Sequence, residues 1–175
     1  MFKQFQSFLP NTHQEIQVNQ FLSKCLLSVA ATVCVLNPAM ADEKVNKAMS
    51  ALKQELAAQG QPRLEGDQLY FGTSKVNGDF KVVDKIKEKH GGTATLFVKE
   101  GNNYIRRSTN VMKAGQRAVG TPLDPSGPAK AAIDSGKPFY GPVDILGKIF
   151  QTGYEPIVNA SGATIGIYYV GYSLE

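Results

Sequence analysis

The stretch from Phe139 to Tyr172, FYGPVDILGKIFQTGYEPIVNASGATIGIYYVGY, constrains the fold of this chain more than any other. It predicts three consecutive strands, Phe139–Ile145, Lys148–Ile157 and Ala163–Tyr172. Leu146-Gly147 joins the first two, and Asn159-Ala160-Ser161-Gly162 turns the chain into the third. β-branched and aromatic residues bounded by Gly and Asn are what a meander needs, because Gly and Asn accept the positive φ of tight hairpin turns. Strict alternation sends Lys148, Phe150, Thr152 and Tyr154 to one face of the middle strand and Ile149, Gln151 and Gly153 to the other. A lysine, a threonine and two aromatics on one sheet face suit a small polar ligand. They suit a core with a snorkelling lysine equally well.

The N-terminal region predicts export. Lys24 precedes an uncharged, mostly apolar run, Cys25–Leu36, followed by Asn37-Pro38 and then Ala39-Met40-Ala41. The run is shorter than the roughly 20 apolar residues that span a bilayer, and small residues stand at the positions a signal peptidase reads. Residues 1–41 are therefore read as a signal peptide cleaved after Ala41, and residues 42–175 as a single domain released to the periplasm, with no membrane span after cleavage. Both cysteines, Cys25 and Cys34, leave with the signal. The mature chain then has no disulfide, thiolate nucleophile or cysteine-bound metal, and must be held by its core alone. The whole chain carries a formal charge of +4. In an exported protein so mild a charge describes a solvated surface and gives no reason to expect nucleic acid.

The rest of the chain alternates helix and strand. Val45, Met49, Leu52 and Leu56 recur at helical spacing within Asp42–Gln59, with acidic residues expected in the first turn. Gln68–Thr73 reads as a short strand, and Phe80–His90 as a helix ended by Gly91-Gly92 with His90 in its last turn. Thr93–Lys99 and Tyr104–Val111 form a hairpin, Arg117–Thr121 is a short strand, and Asp124-Pro125-Ser126-Gly127-Pro128 starts a short helix, Ala129–Ser135. The order predicts an α+β domain on a central antiparallel sheet.

The runs TLFVKEGNNYIRRSTNV, RAVGTPLD, GPAKAAI, FYGPVDILGKIFQTGYEPI and GATIGIYYVGY resemble the single Cache domains of bacterial chemoreceptors and sensor kinases, in particular the Cache 3/Cache 2 fusion type. The resemblance covers about Gln68 to Tyr172. It implies a PAS-like sheet with the N-terminal helix packed against it, and a pocket on the sheet for a small extracellular molecule, often a carboxylate or amino acid. It also assigns the family arginine to Arg106, leaving Arg107 where an apolar residue is usual. Family receptors carry transmembrane helices and a cytoplasmic signalling module. This chain stops at Glu175, so the expected partner is a separate membrane receptor or sensor kinase in a chemotaxis or signal-transduction pathway.

Catalytic chemistry has little support. There is no G-x-S-x-G elbow, phosphate-binding loop or histidine pair for a metal, and no cofactor motif. The expected ligand site is Arg106 and Ser108 from one strand with Lys148 and Tyr154 from the meander and Tyr140 nearby. Arginine grips a carboxylate through two parallel charge-assisted hydrogen bonds, and lysine and tyrosine complete the cage. Against this stands an Arg106 paired with Asp144 or Glu155 and a Lys148 in solvent. Two functions follow. One is a non-catalytic binding module for a small organic acid, and the other is a structural or interaction subunit with a vestigial pocket. Alternation places Ser108 beside Arg106 and turns Arg107 to the opposite face.

Overall fold

The computed structural model describes residues 38–175, with side chains from residue 42. The apolar run, both cysteines and the side chains of Ala39-Met40-Ala41 lie outside the described residues. In chain order the elements are α1 (Pro38–Ala57), β1 (Pro62–Glu65), β2 (Gln68–Phe71), β3 (Ser74–Lys75), α2 (Lys81–His90), β4 (Thr93–Glu100) and β5 (Asn103–Thr109). Then come β6 (Met112–Lys113), β7 (Gln116–Arg117), α3 (Pro128–Asp134), β8 (Phe139–Asp144), β9 (Ile149–Val158) and β10 (Thr164–Ser173). Five strands make an antiparallel sheet in the order β5-β4-β10-β9-β8, with β10 at its centre. The fold is the expected α+β type, a PAS-like sheet with its N-terminal helix packed against it.

α1 and α2 cover one face of this sheet. The stripe Val45, Met49, Leu52 and Leu56 is fully buried against Leu96, Val98, Ile157 and Val170, and α2 adds Val83 and Ile86. α1 starts at Pro38, so Asp42 and Glu43 stand in its second turn, and the first turn carries no acidic residue. Gly153 sets how closely α1 approaches β9. A Cβ there would fall 2.8 Å from a Val45 methyl and 2.7 Å from the Tyr140 ring. The opposite face packs Phe97, Tyr104, Tyr154, Ile167 and Tyr169 under the segment from Asn110 to Lys137, with Ala129 and Ile133 of α3.

Two local features depart from the expected strands and alternation, and two turns fall where they are expected. β1 pairs with β2 from Pro62↔Phe71 to Glu65↔Gln68, so the expected strand at Gln68 is the second arm of a hairpin rather than a lone strand. β4 and β5 pair Leu96 with Ser108 but Phe97 with Arg106, so Arg107 is the extra residue of a β-bulge. A bulge inserts one residue and flips everything beyond it. The β6–β7 and β8–β9 hairpins turn through Ala114-Gly115 and Leu146-Gly147, with all four residues at positive φ. Ala114 and Leu146 are the two non-glycine residues so placed among the described residues, at φ of 50° and 58°. That conformation costs an L-residue roughly 1–2 kcal/mol.

Asn110 ties the two layers together. Its side-chain oxygen accepts from the Ala94 amide at 2.7 Å, and its amide donates to the Val83 carbonyl of α2 at 2.6 Å, all buried. Asn110→Ala strands the buried Ala94 amide, at about 1–3 kcal/mol, and takes a second donor from the Val83 carbonyl, which keeps its helical bond within α2. The variant is expected to lose about 1–3 kcal/mol by urea denaturation. A loss under about 0.5 kcal/mol contradicts this role, since that is the ordinary range of surface substitutions.

Candidate functional site

Arg106 enters the core from the edge strand β5, opposite Phe97, and is only 4% exposed. Its guanidinium lies over the Phe97 ring, 4.9 Å from the centroid. Nη1 donates to Thr121 Oγ1 at 2.8 Å and to the Pro122 carbonyl at 3.1 Å. Nε is buried and has no hydrogen-bond partner among the described residues. No carboxylate among them lies within ion-pairing distance of the guanidinium either. Burial holds the Arg106 pKa below its ordinary value, opposed by Tyr154 and Tyr169 close by. An arginine stays charged even so.

Tyr154 is the second polar group with an unmet need. It is fully buried on β9, between Phe139 and Tyr169, with ring centroids 6.2 and 4.9 Å away. Its hydroxyl has no partner among the described residues. Burial drives its pKa far above the ordinary phenol value, with Tyr169 and Asp124 adding to the shift and Arg106 opposing it. Tyr169, on the central strand, is pushed up to about 12, chiefly by burial. Its hydroxyl lies 3.2 Å from that of Thr93. The loop face therefore gathers one buried guanidinium with the buried phenols of Tyr104, Tyr154 and Tyr169, and among the described residues Arg106 Nε and the Tyr154 hydroxyl keep donors unused.

The other expected site residues go elsewhere. The bulge at Arg107 puts Ser108 opposite Leu96, on the helix face, where its hydroxyl donates to the Asp79 carbonyl at 2.5 Å. Alternation through an unbulged strand places it beside Arg106 instead. Tyr140 pairs with Gly153 on the helix side, is 39% exposed and donates to Glu155 at 2.5 Å. Lys148 belongs to the turn before β9, with a side chain 65% exposed and Nζ 3.4 Å from the Glu175 carboxylate. Arg107 has a clear partner set. It bonds Glu100 at 2.7 Å through Nε and lies 3.9 Å from Asp67, linking β5 to the β1–β2 turn. Thr121, Phe97 and Tyr169 complete the Arg106 surroundings. Only strand register and the path of the covering loop reveal them. Among the described residues no cluster of three His, Cys, Asp or Glu side chains could hold a metal.

The sequence profile of the family described as single cache domain 3 matches residues 74–175, more than half of the chain. The chain belongs to that family. Single Cache domains are extracytoplasmic sensory modules that bind small molecules and are not catalysts. No curated protein matches the chain. Among solved structures, the crystal structure of the A. aeolicus nlh2 GAF domain in an inactive state is similar at 13% identity. The match has a TM-score of 0.46 and covers 77% of this chain and 83% of that one. Among the described residues no helix is long and apolar enough to cross a membrane.

Tyr154→Phe removes a buried hydroxyl that lacks a partner, so the protein is expected to keep its urea midpoint or gain about 1 kcal/mol. A loss above about 2 kcal/mol shows that the hydroxyl is satisfied and contradicts its availability.

Proposed function

We propose that the protein is an exported, non-catalytic sensory module that binds a small organic acid against Arg106 and Tyr154. The observation that carries this reading is a guanidinium buried without a carboxylate among the described residues. A buried charge costs several kcal/mol of hydration, and an anion is what recovers it. Arg106 Nε–H and the Tyr154 hydroxyl are both unused donors among the described residues. The two oxygens of a carboxylate accept one from each, while Nη1 keeps Thr121 and Pro122. The ligand-dependent form of the domain then acts through a separate membrane receptor or sensor kinase, from the periplasm.

One observation favours the alternative, a structural or interaction subunit with a vestigial pocket. The loop face around Arg106 is filled by Phe97, Tyr104, Ile167 and Tyr169. The two readings separate by titration. Acetate, pyruvate, succinate and malate are screened against the purified protein by thermal shift and calorimetry. At least one acid is expected to raise the melting temperature. Charge-assisted bonds are worth roughly 1.5–3 kcal/mol, so Arg106→Met is expected to weaken binding at least about tenfold. The unliganded variant should stay near its original stability, because an apolar side chain of similar length replaces an uncompensated charge. No binding by any small acid, or full binding by Arg106→Met, rejects the pocket.

A further inference from the structure

A cleft of about 370 Å³ opens beside the β6–β7 and β8–β9 turns, and neither Arg106 nor Tyr154 lines it. Phe150, Val111 and Ile145 line it together with the exposed Met112 and Leu146. Lys87 of α2, Lys113 of the β6–β7 hairpin and Lys148 of the β8–β9 turn also line it. No carboxylate is among its lining residues. Lys87 and Lys113 make no ion pair with the described residues, and Lys148 has only Glu175, at 3.4 Å. Volume and lining both match a small-molecule site, which is commonly a largely apolar concavity of roughly 300–1,000 Å³ with a few polar groups.

The backbone supplies an independent observation. Ala114 and Leu146, the two non-glycine residues at positive φ among the described residues, both line this cleft. Each is the first central residue of a two-residue hairpin turn, where Asn, Asp or Gly is preferred. In the β8–β9 turn the strain sits on a large apolar residue that is then left 41% exposed. Solvent gives no reason to hold a leucine there at that cost. Strained backbone concentrates at ligand clamps, where the contact made by the strained residue matters more than the turn's own comfort.

We propose that this cleft is a second binding site, one that takes an anionic amphiphile. The lysines from three separate elements grip a phosphate or carboxylate head group. Met112, Leu146 and Phe150 take the alkyl chain. A short hydrophilic acid gains nothing from the apolar wall, and a neutral amphiphile gains nothing from the lysines, so the site selects for both properties together. It shares no lining residue with the Arg106 and Tyr154 pair.

The test is calorimetry of the purified protein with decyl phosphate below its micellar concentration, beside inorganic phosphate and octyl glucoside. Decyl phosphate is expected to bind, and the other two at least about tenfold more weakly, as the loss of a charge-assisted contact or of several buried methylenes requires. Leu146→Gly relieves the turn and removes the apolar lip. It is expected to melt at or above the wild-type temperature while losing at least about fivefold in affinity. Lys113→Ala keeps the turn and is expected to lose affinity too, which covers the case of a glycine variant that folds poorly. Both variants should respond to small organic acids as the unmodified protein does, which separates this site from the one at Arg106. Equal affinity for inorganic phosphate and decyl phosphate overturns the proposal, as does unchanged binding in both variants. Flotation with phosphatidylglycerol vesicles without binding of monomeric decyl phosphate also overturns it, since that pattern describes adsorption to a charged surface.

Discussion

Placing Arg106 on the inner face of an edge strand removes a permanent charge from water, at a cost of several kcal/mol. Around that charge the domain arranges an aromatic face from Phe97, one hydroxyl from Thr121 and one carbonyl from Pro122. The covering segment is fixed to the strand at the same place. The Arg106 amide donates to the Thr121 carbonyl at 3.0 Å, and the Gly120 amide donates to the Arg106 carbonyl at 2.8 Å. The Leu123 amide then reaches the Tyr104 carbonyl at 2.8 Å. One residue thus seals the β5 edge against other strands and closes the loop over the sheet. Its side-chain Nε remains unsatisfied among the described residues in the middle of that arrangement.

Much of this was legible in the sequence because it rests on patterns with a period. The 3.6-residue stripe Val45, Met49, Leu52 and Leu56 is the buried face of α1, and the meander turns fall at Leu146-Gly147 and Asn159–Gly162 as composition implies. Arg106 and Tyr154, two of the five residues expected at the ligand site, are both buried. What failed is what alternation cannot express. A bulge is one extra residue without a side-chain signature of its own, so plain alternation puts Ser108 on the wrong face of β5. Residue pattern alone makes Lys148 the first residue of a strand, but the two-residue turn releases it into solvent beside Glu175. Tyr140 lies near Tyr154 in the pairing, yet one residue along a strand means the opposite face. Thr121 was out of reach for a different reason. Its position depends on a loop that crosses to another strand, and no local spacing encodes that crossing.

The two faces of the sheet divide the work. The helix face is a close apolar packing of α1 and α2, fitted to β9 at Gly153 and tied down by Asn110. The loop face carries the irregular features: the buried arginine, a phenol with no partner among the described residues, two strained turns and a basic cleft. A rigid layer beneath a strained and incompletely satisfied one is the arrangement expected of a scaffold that presents a binding surface. Arg117 links the two layers through a paired contact with Asp84 at 2.8 and 2.9 Å, and its guanidinium stacks 4.5 Å from the Phe80 ring. Any shift of the covering segment is therefore felt at α2.

The central claim, that Arg106 holds an anion through its unused donor, is tested most directly by NMR of its side-chain Nε–H. In the ¹⁵N-labelled protein the Arg106 Nε–H resonance, assigned with Arg106→Lys, is followed while an organic acid that stabilises the protein is added. The account expects a saturating change in that resonance and a much smaller one at Arg107, whose Nε already bonds Glu100. An Arg106 Nε–H signal that stays fixed while the acid binds contradicts it.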